Sequence, residues 1–384
     1  MLTYYEFFCG GGMVRAALGP TWKCLFANDI DPKKAASYRA NWGGDELHVE
    51  DVANLTSIDL PDRADLAWAS FPCQDLSLAG TGAGLKGERS GTFWPFWRLV
   101  KALKKEGRAP RMVVLENVTG ALTSHGGKDF AAISEALGRA GYRFGAIVIN
   151  AAHFVPQSRP RLFVIAALET LSIPPSLLTG AADRIWHPSS LVEALSKLSK
   201  SSRESWVWWR LPQPPIRNST FATVIEDDPR DIAWHTAAET KRLLKMMSQT
   251  NRAKVEAAQK AGQRMIGTVY KRTRVDGRTG KKVQRAEIRF DDVAGCLRTP
   301  AGGSSRQTLM IIDGKRVRSR LLSSREAARL MGLPDTYILP QNYNEAYHLA
   351  GDGVVVPVVQ YLAEHILEPL ATSIYAGGAK QKAA

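Results

Sequence analysis

The chain is poor in cysteine, with four in 384 residues, and no two of Cys9, Cys24, Cys73 and Cys296 lie close enough to form a Cys-x-x-Cys pair. A disulfide framework and a structural zinc site are therefore not expected, no metal is implied, and each cysteine can be weighed as a lone nucleophile. The stretch from Leu2 to Leu18 is interrupted by Glu6, a glycine run and Arg15, and no basic segment precedes an apolar core. Neither a signal peptide nor a membrane span is expected, which gives a cytoplasmic globular protein as the reading. No Gly-x-x-x-x-Gly-Lys-Ser/Thr run occurs, so triphosphate hydrolysis has no support. Acidic residues are outnumbered, 37 against 51 basic, and the net charge of +14 points to a polyanionic partner.

What is present is unevenly placed. Residues 241–290 carry 15 Lys and Arg against 3 Asp and Glu, so that window holds +12 of the net charge. Within it, turn residues separate two basic arms, Lys271-Arg272-Thr273-Arg274 and Arg278 to Lys282, which predicts a hairpin rimmed with cations. The first 165 residues alternate short β-rich runs (Leu2 to Phe8, Lys23 to Ala27, Leu66 to Ser70, Met112 to Leu115, Phe144 to Ile149, Leu162 to Ala166) with helical stretches, of which Asp31 to Trp42 and Phe93 to Lys105 are the best marked. That alternation predicts a doubly wound α/β sheet with function at the carboxyl ends of its strands.

From about Ser172 the texture turns to proline, serine and tryptophan, and a domain boundary is placed there. The expected organisation is a catalytic α/β domain over 1–171, a smaller, mixed, basic domain over 172–318, a return to the first domain over 319–374 and a disordered tail over 375–384. A basic helix is expected from about Ala238 to Gly262, a helix over Ser324 to Leu330 and a last one from Val354 to Leu370. Trp206, Trp208 and Trp209 are expected to pack a core rather than stack on bases.

Four segments carry chemistry. Phe7-Phe8-Cys9-Gly10-Gly11-Gly12 ends the first strand, where glycines let a ligand approach the backbone; Asp29 and Asp31 follow the second strand, where a carboxylate commonly accepts ribose hydroxyls. Cys73, in Phe71-Pro72-Cys73-Gln74-Asp75-Leu76-Ser77, lies just past the strand Leu66 to Ser70, a setting that favours exposure. Glu116-Asn117-Val118 closes another strand at the same edge of the sheet. Arg159 and Arg161 stand at alternate positions of Gln157-Ser158-Arg159-Pro160-Arg161, which would point both to one face of an extended chain.

In this order the segments resemble the motifs of the DNA cytosine-C5 methyltransferase family. The glycine run resembles its donor-binding Asp-Leu-Phe-x-Gly-x-Gly-Gly, the Cys73 segment its Pro-Cys-Gln-x-Phe-Ser, Glu116-Asn117-Val118 its Glu-Asn-Val and Gln157 to Arg161 its Gln-x-Arg-x-Arg. Arg320 to Asp335 is similar to its late arginine- and leucine-rich motif, and Gly351-Asp352-Gly353-Val354 to its Gly-Asn-x-Val. The resemblance implies a Rossmann-like S-adenosylmethionine-dependent sheet with a target-recognition domain, and methyl transfer from S-adenosylmethionine to C5 of a flipped-out cytosine in double-stranded DNA through a covalent bond from Cys73 to C6.

By the same resemblance Glu116 would meet cytosine N3 and Arg161 the base carbonyl oxygen, with Arg159 supporting the site. The donor would contact Phe8, Gly10, Gly12, Asp29, Ile30, Asp51, Val52, Pro72 and Phe93, with Asp352, Gly353 and Val354 from the last motif. DNA contacts are expected from Gln74, Ser77, Lys271, Arg272, Arg274, Arg278, Lys281, Lys282, Arg298, Ser304, Ser305 and Arg306. A monomer is expected; the sequence leaves open whether it works alone or beside a cognate restriction endonuclease.

Glu6, Met13, Leu76 and Asp352 depart from the family's usual residues. Asp352 matters most, since a carboxylate in place of asparagine favours a cationic sulfonium. Three rivals are weighed: an RNA cytosine-C5 methyltransferase, a nicotinamide dehydrogenase, which gives no reason for Cys73, Glu116 and Arg161 together, and a catalytically inactive DNA-binding protein on the same scaffold.

Overall fold

The computed structural model describes residues 1–72, 90–275, 277, 279–298 and 306–373. The chain forms two compact units: Met1–Asn150, Pro160–Pro214 and the stretch from Val354 make unit 1, and Ala151–Arg159 with Pro215–Gly353 make unit 2.

Unit 1 is built on β1 (Leu2–Phe7), α1 (Met13–Leu18), β2 (Trp22–Asp29), α2 (Pro32–Trp42), β3 (Leu47–Val49), β4 (Leu66–Ala69), α3 (Phe93–Lys105), β5 (Met112–Val118), α4 (Lys128–Arg139), β6 (Tyr142–Asn150) and β7 (Pro160–Leu168). The seven strands run in the order β3-β2-β1-β4-β5-β7-β6. All pairings from β3 to β5 are parallel, while β7 is antiparallel to both β5 and β6. The strand order reverses between β1 and β4, so the carboxyl ends of those two strands border the crevice where doubly wound sheets bind ligands.

Local sequence explains the elements. Asp31 caps α2 by accepting from the Lys33 N–H at 2.8 Å, and Pro32 opens the helix where its missing N–H costs nothing. In α3 the residues Phe93, Phe96, Trp97, Val100 and Leu103 recur every three or four positions and are buried. They meet Phe7, Phe26, Val113, Leu115 and Val164 in the main core.

Composition separates residues 172–214 from the first domain, but they belong to unit 1. The reason is edge protection. Strand β6 ends the sheet, and the Phe144 N–H donates to the Ser205 carbonyl at 2.9 Å while the Val207 N–H donates back to Phe144 at 2.8 Å. Trp209, in a two-stranded ribbon of β8 (Leu178–Thr179) and β9 (Trp208–Trp209), is fully buried and donates to the Ile165 carbonyl at 3.1 Å. Trp206 and Trp208 pack against the main core, so all three tryptophans serve packing. Helices α5 (Ser189–Ser196) and α6 (Lys200–Glu204) lead into this strap.

Unit 2 begins with α7 (Phe221–Val224). The expected basic helix is two, α8 (Ala237–Lys245) and α9 (Gln249–Lys260), because Ser248 caps the second by accepting from the Asn251 N–H at 3.4 Å. Strands β10 (Met265–Val275), β11 (Lys282–Arg289), β12 (Thr308–Asp313) and β13 (Arg316–Leu321) form an antiparallel sheet in the order β11-β10-β12-β13. Val269, Ala286, Ile288, Met310 and Ile312 share one face and are covered by Leu243 and Met247 of the α8 region and by Val255 and Ala258 of α9.

The segment that follows, α10 (Ser324–Leu330) and α11 (Tyr343–Asp352), stays in unit 2, whereas a return to the first domain at residue 319 is the sequence expectation. A buried ion pair holds it there. Arg320 and Glu326 are both fully buried and meet through two hydrogen bonds of 2.6 and 2.7 Å; Glu326 also accepts from the Ser323 and Glu226 N–H groups, each at 2.7 Å. The return comes at Val354, where α12 (Val356–Leu362) packs on α1. The stretch Tyr343–Ser373 is long and apolar enough by composition to cross a membrane, yet 67% of its apolar window is buried inside the protein, as in core helices.

Two stability outcomes follow. A Cβ at Gly145 would collide with the Val207 carbonyl oxygen and the Trp209 ring, so Gly145→Ala should destabilise by about 1–3 kcal/mol. Gly180→Ala, with open space around it, should stay within about 0.5 kcal/mol, and melting curves of the two variants check the contrast. Arg320→Met leaves Glu326 buried without its cation and should cost about 3–5 kcal/mol, while Arg320→Met with Glu326→Leu should recover most of it. Denaturant titration of unit 2 tryptophan fluorescence reads that recovery; a double variant as unstable as the single one would remove the pair as the cause.

Candidate active site

The first loop of unit 1 is held in unusual backbone. Phe8 has φ of 59°, Gly10 55° and Gly12 76°, left-handed values that a bulky residue such as Phe8 adopts only under constraint. The constraint is Asp29 at the end of β2, a buried carboxylate. Its Oδ2 accepts from the Gly10 N–H at 2.8 Å and its Oδ1 from the Asp31 N–H at 2.9 Å. Cys9 donates its N–H to the Asn28 carbonyl at 2.9 Å, which locks the loop to the same strand end.

A Cβ built at Gly10 meets nothing within 4 Å, so open space lies before that backbone. Ile30, beside it in sequence, is 64% exposed although large and apolar. Asp51 turns the chain after β3 by accepting from the Ala53 N–H at 2.8 Å, and Val52 and Phe93 are buried. Val354 is buried in unit 1, whereas Asp352 and Gly353 end α11 in unit 2, so the expected donor set is divided between the units.

Glu6 on β1 is a feature that motif matching passes over as a mild change from aspartate. It is wholly buried, its Oε2 has no hydrogen-bond partner, and burial pushes its carboxyl up to about 8, opposed by Arg15 and assisted by Asp29. The buried thiol of Cys9 and the Cys24 thiol are also pushed up, Cys24 to about 11, by burial first and by Glu6 second. Raised thiols make weak nucleophiles at neutral pH.

The other half of the site is at the far side of the reversal point. Glu116, near the end of β5, is buried and its Oε1 lies 3.2 Å from Arg161 Nε. In the β5–β7 register Glu116 faces Phe163 and Val118 faces Arg161, so Glu116 and Arg161 are diagonal neighbours on one face. Arg161 Nη1 donates to the Pro160 carbonyl at 2.9 Å, which sets the plane of the guanidinium. Asn117 Nδ2 donates to the Phe71 carbonyl at 3.2 Å, tying the chain after β4 to the end of β5. Asn117 was visible only as the middle of a motif; the tether needs the fold. Cys73, Gln74 and Ser77 lie outside the described residues, as do Arg278, Ser304 and Ser305.

Arg159 and Arg161 fall in different units. The strand starts at Pro160, and Arg159 belongs to unit 2, where its nearly buried guanidinium donates to the carbonyls of Leu297 at 3.1 Å, Gly351 at 2.9 Å and Gly353 at 2.8 Å. Cys296 Sγ lies 3.3 Å from its Nη1. Arg159 therefore fixes two backbone segments of unit 2, a role that alternation in an extended chain could not reveal.

Also in unit 2, the expected hairpin forms: Val275 pairs with Lys282, and Lys271, Arg272, Arg274, Lys281 and Lys282 are exposed. Arg298 is exposed, while Arg306 lies over the Tyr343 ring at 5.3 Å and bonds Asn344. Among the described residues no three His, Cys, Asp or Glu side chains gather as a metal site would require.

The raised Glu6 carboxyl has a pH signature. A carboxyl whose folded value exceeds its unfolded one adds stability at low pH, and that contribution fades from about 4.5 up to about 8. Glu6→Gln, which cannot ionise, should match the natural protein in melting temperature near pH 5 and exceed it near pH 8. Equal differences at both pH values would count against a protonated Glu6.

Comparison with known proteins agrees with this geometry. A family profile described as C-5 cytosine-specific DNA methylase matches residues 2–368. The Type II methyltransferase M.HhaI of Haemophilus parahaemolyticus is 25% identical over 370 residues, 95% of this chain and 94% of that protein. M.HpaII of Haemophilus parainfluenzae is 24% identical over 388 residues, 96% of this chain and 90% of that one. Among solved structures, the S. pombe Dnmt2 methyltransferase aligns with a TM-score of 0.59 at 18% identity, covering 96% of this chain and 99% of that chain. An E. coli prophage-encoded putative DNA modification methyltransferase gives 0.57 at 16%, covering 98% and 100%. Those two likenesses establish the fold, and the profile match over almost the whole length establishes the family: the chain belongs to the C-5 cytosine-specific DNA methylases.

Proposed function

We propose that the protein methylates C5 of a cytosine flipped out of a specific duplex DNA sequence, with Cys73 as nucleophile, Glu116 and Arg161 as base-holding groups and Arg159 as a positioning residue. The observation that carries this is the Glu116–Arg161 pair at 3.2 Å, beside the Asn117 tether to Phe71. Cys73 follows Phe71 by two positions in the sequence, and the tether fixes the Phe71 end of that stretch beside the pair.

The chemistry needs these three groups together. Cytosine C5 is too weak a nucleophile to take a methyl group directly. The Cys73 thiolate adds to C6, forming an S–C6 bond and moving the C5–C6 π pair onto C5. Charge that would build on the ring is met at N3 by the Glu116 carboxyl and at the carbonyl oxygen by Arg161. In this reading the ion pair opens on binding: Arg161 turns to the carbonyl oxygen, and the Glu116 carboxylate takes up a proton from water and holds it against N3. Once C5 carries the methyl group, its proton leaves to a base, the pair returns to the C5–C6 bond and the Cys73 sulfur departs.

S-adenosylmethionine supplies an electrophilic methyl group on a sulfonium. The first loop fits such a donor: open backbone at Gly10, a fixed carboxylate at Asp29 and an exposed apolar side chain at Ile30. Both Asp29 oxygens already accept one backbone N–H and keep a lone pair for ribose hydroxyls. Unit 1 is then the catalytic and donor-binding domain and unit 2 the target-recognition domain. Because the target atom is hidden in a stacked duplex, the enzyme acts on a base extruded from the helix.

The test is transfer of labelled methyl from S-adenosylmethionine to duplex DNA and, in parallel, to RNA. Label is expected in DNA and lost with Cys73→Ser, while Glu116→Gln should lower the rate by roughly 100-fold or more. Label in RNA alone, or transfer indifferent to Cys73→Ser, overturns the reading. A duplex carrying 5-fluorocytosine should trap the protein covalently, since fluorine blocks the loss of the C5 proton.

A further inference from the structure

Strand β10 pairs with β12 from Met265 to Val269, and its outer part, Lys271–Val275, is exposed and pairs with β11 as a two-stranded ribbon. Its two faces differ in chemistry. One presents Lys271, Thr273 and Val275 with Gln284 and Lys282, none of them acidic, while Ala286, opposite Lys271, is buried and donates its N–H to the Met246 carbonyl at 3.1 Å. The other presents Tyr270, Arg272 and Arg274 opposite Glu287, Arg285 and Val283. On that face Glu287 lies 2.6 Å from Arg274 Nε and 3.6 Å from Arg272 Nε, and Arg272 lies over the Tyr270 ring at 5.7 Å.

A carboxylate set between two arginines is a poor arrangement for gripping phosphate, because it cancels charge and repels the anion. It is a good one for presenting guanidinium forks, since each arginine keeps a fixed plane while retaining donors for a partner. A ribbon of two strands fits the major groove, where Arg reads guanine O6 and N7 and a carboxylate can accept from cytosine N4. Residues two apart on a strand are about 6.8 Å apart, close to two base-pair steps. Lysines, as mobile point charges, suit phosphate.

Resting on the duplex-DNA reading, we propose that Glu287 is a positioning residue that orders Arg272 and Arg274 as base readers and commits this face of the ribbon to groove edges, leaving the Lys271 and Lys282 face to phosphate.

Selection of duplexes from a randomised pool by the full-length protein tests it through binding alone. The natural protein should enrich a motif. Glu287→Gln, and separately Arg274→Lys, should each lower the affinity ratio of selected to scrambled duplex by roughly tenfold, with the slope of log affinity against log salt unchanged. Glu287→Asp should restore part of the ratio. Replacing Lys271 and Lys282 by alanine should instead weaken both duplexes alike and flatten the slope by up to about 0.9 per lost contact.

A ratio unmoved by Glu287→Gln, or a slope that falls as it does for the lysine pair, overturns the proposal. Arg274 is half exposed, so Arg274→Lys gives a readout even where a Glu287 variant loses the sheet. Methyl transfer by the natural protein is scored separately: selective binding without transfer ends the methyltransferase reading and leaves Glu287 in place.

Discussion

The reversed direction of β7 is the constraint on which the Glu116–Arg161 edge of unit 1 depends. A strand parallel to β5 would start at the opposite edge of the sheet, far from the carboxyl ends. Because β7 runs antiparallel, its first residues pair with the last residues of β5, and Arg161 arrives diagonal to Glu116. An acid and a cation thus meet at one edge from segments about 45 residues apart, with no loop needed to carry either. Strands hold side chains more rigidly than loops, so the pair is held in one fixed arrangement.

The reversal between β1 and β4 does the corresponding work for the loop after β1. It leaves the first loop beside open space, and Asp29 holds that loop by two backbone hydrogen bonds. Left-handed backbone at Phe8 is maintained by these contacts and by the Cys9 bond to β2. Beneath the loop, Glu6 keeps a proton because burial outweighs Arg15. The same burial raises the thiols of Cys9 and Cys24. Electrostatics therefore separates the cysteines: Cys9 and Cys24 are suited to packing, and Cys296 lies against Arg159.

Unit 2 puts its charges to two uses. Inside, Arg320 and Glu326 neutralise each other and bind the segment after β13 to the region around Glu226. Outside, the ribbon leaves its cations in water, with Glu287 among the arginines and none on the lysine face. Arg159 stands between these cases, its positive charge nearly buried and met by backbone carbonyls at Leu297, Gly351 and Gly353.

By itself the sequence determined what local physics can encode. Six strands, the capped helix after Asp31 and the buried stripe of Phe93 to Lys105 follow from alternation, capping and three-to-four spacing, and β10 and β11 from turn residues between basic arms. The three-residue β3 was too short to show a period, and the helix from 238 to 262 hid its break at Ser248. The order of motifs gave the family, with Glu116, Arg161 and the glycine loop each placed at a strand end. Only the tertiary structure decided who meets whom. Domain edges followed burial rather than composition, at Gly145 beneath Val207 and at Arg320 with Glu326. Arg159 and Arg161 were assigned to different units, with the strand starting at Pro160, and Glu287 gained its partners across a register that no linear reading contains. Side-chain pairing across strands depends on register and direction, and both are set by the whole sheet rather than by neighbours in the chain.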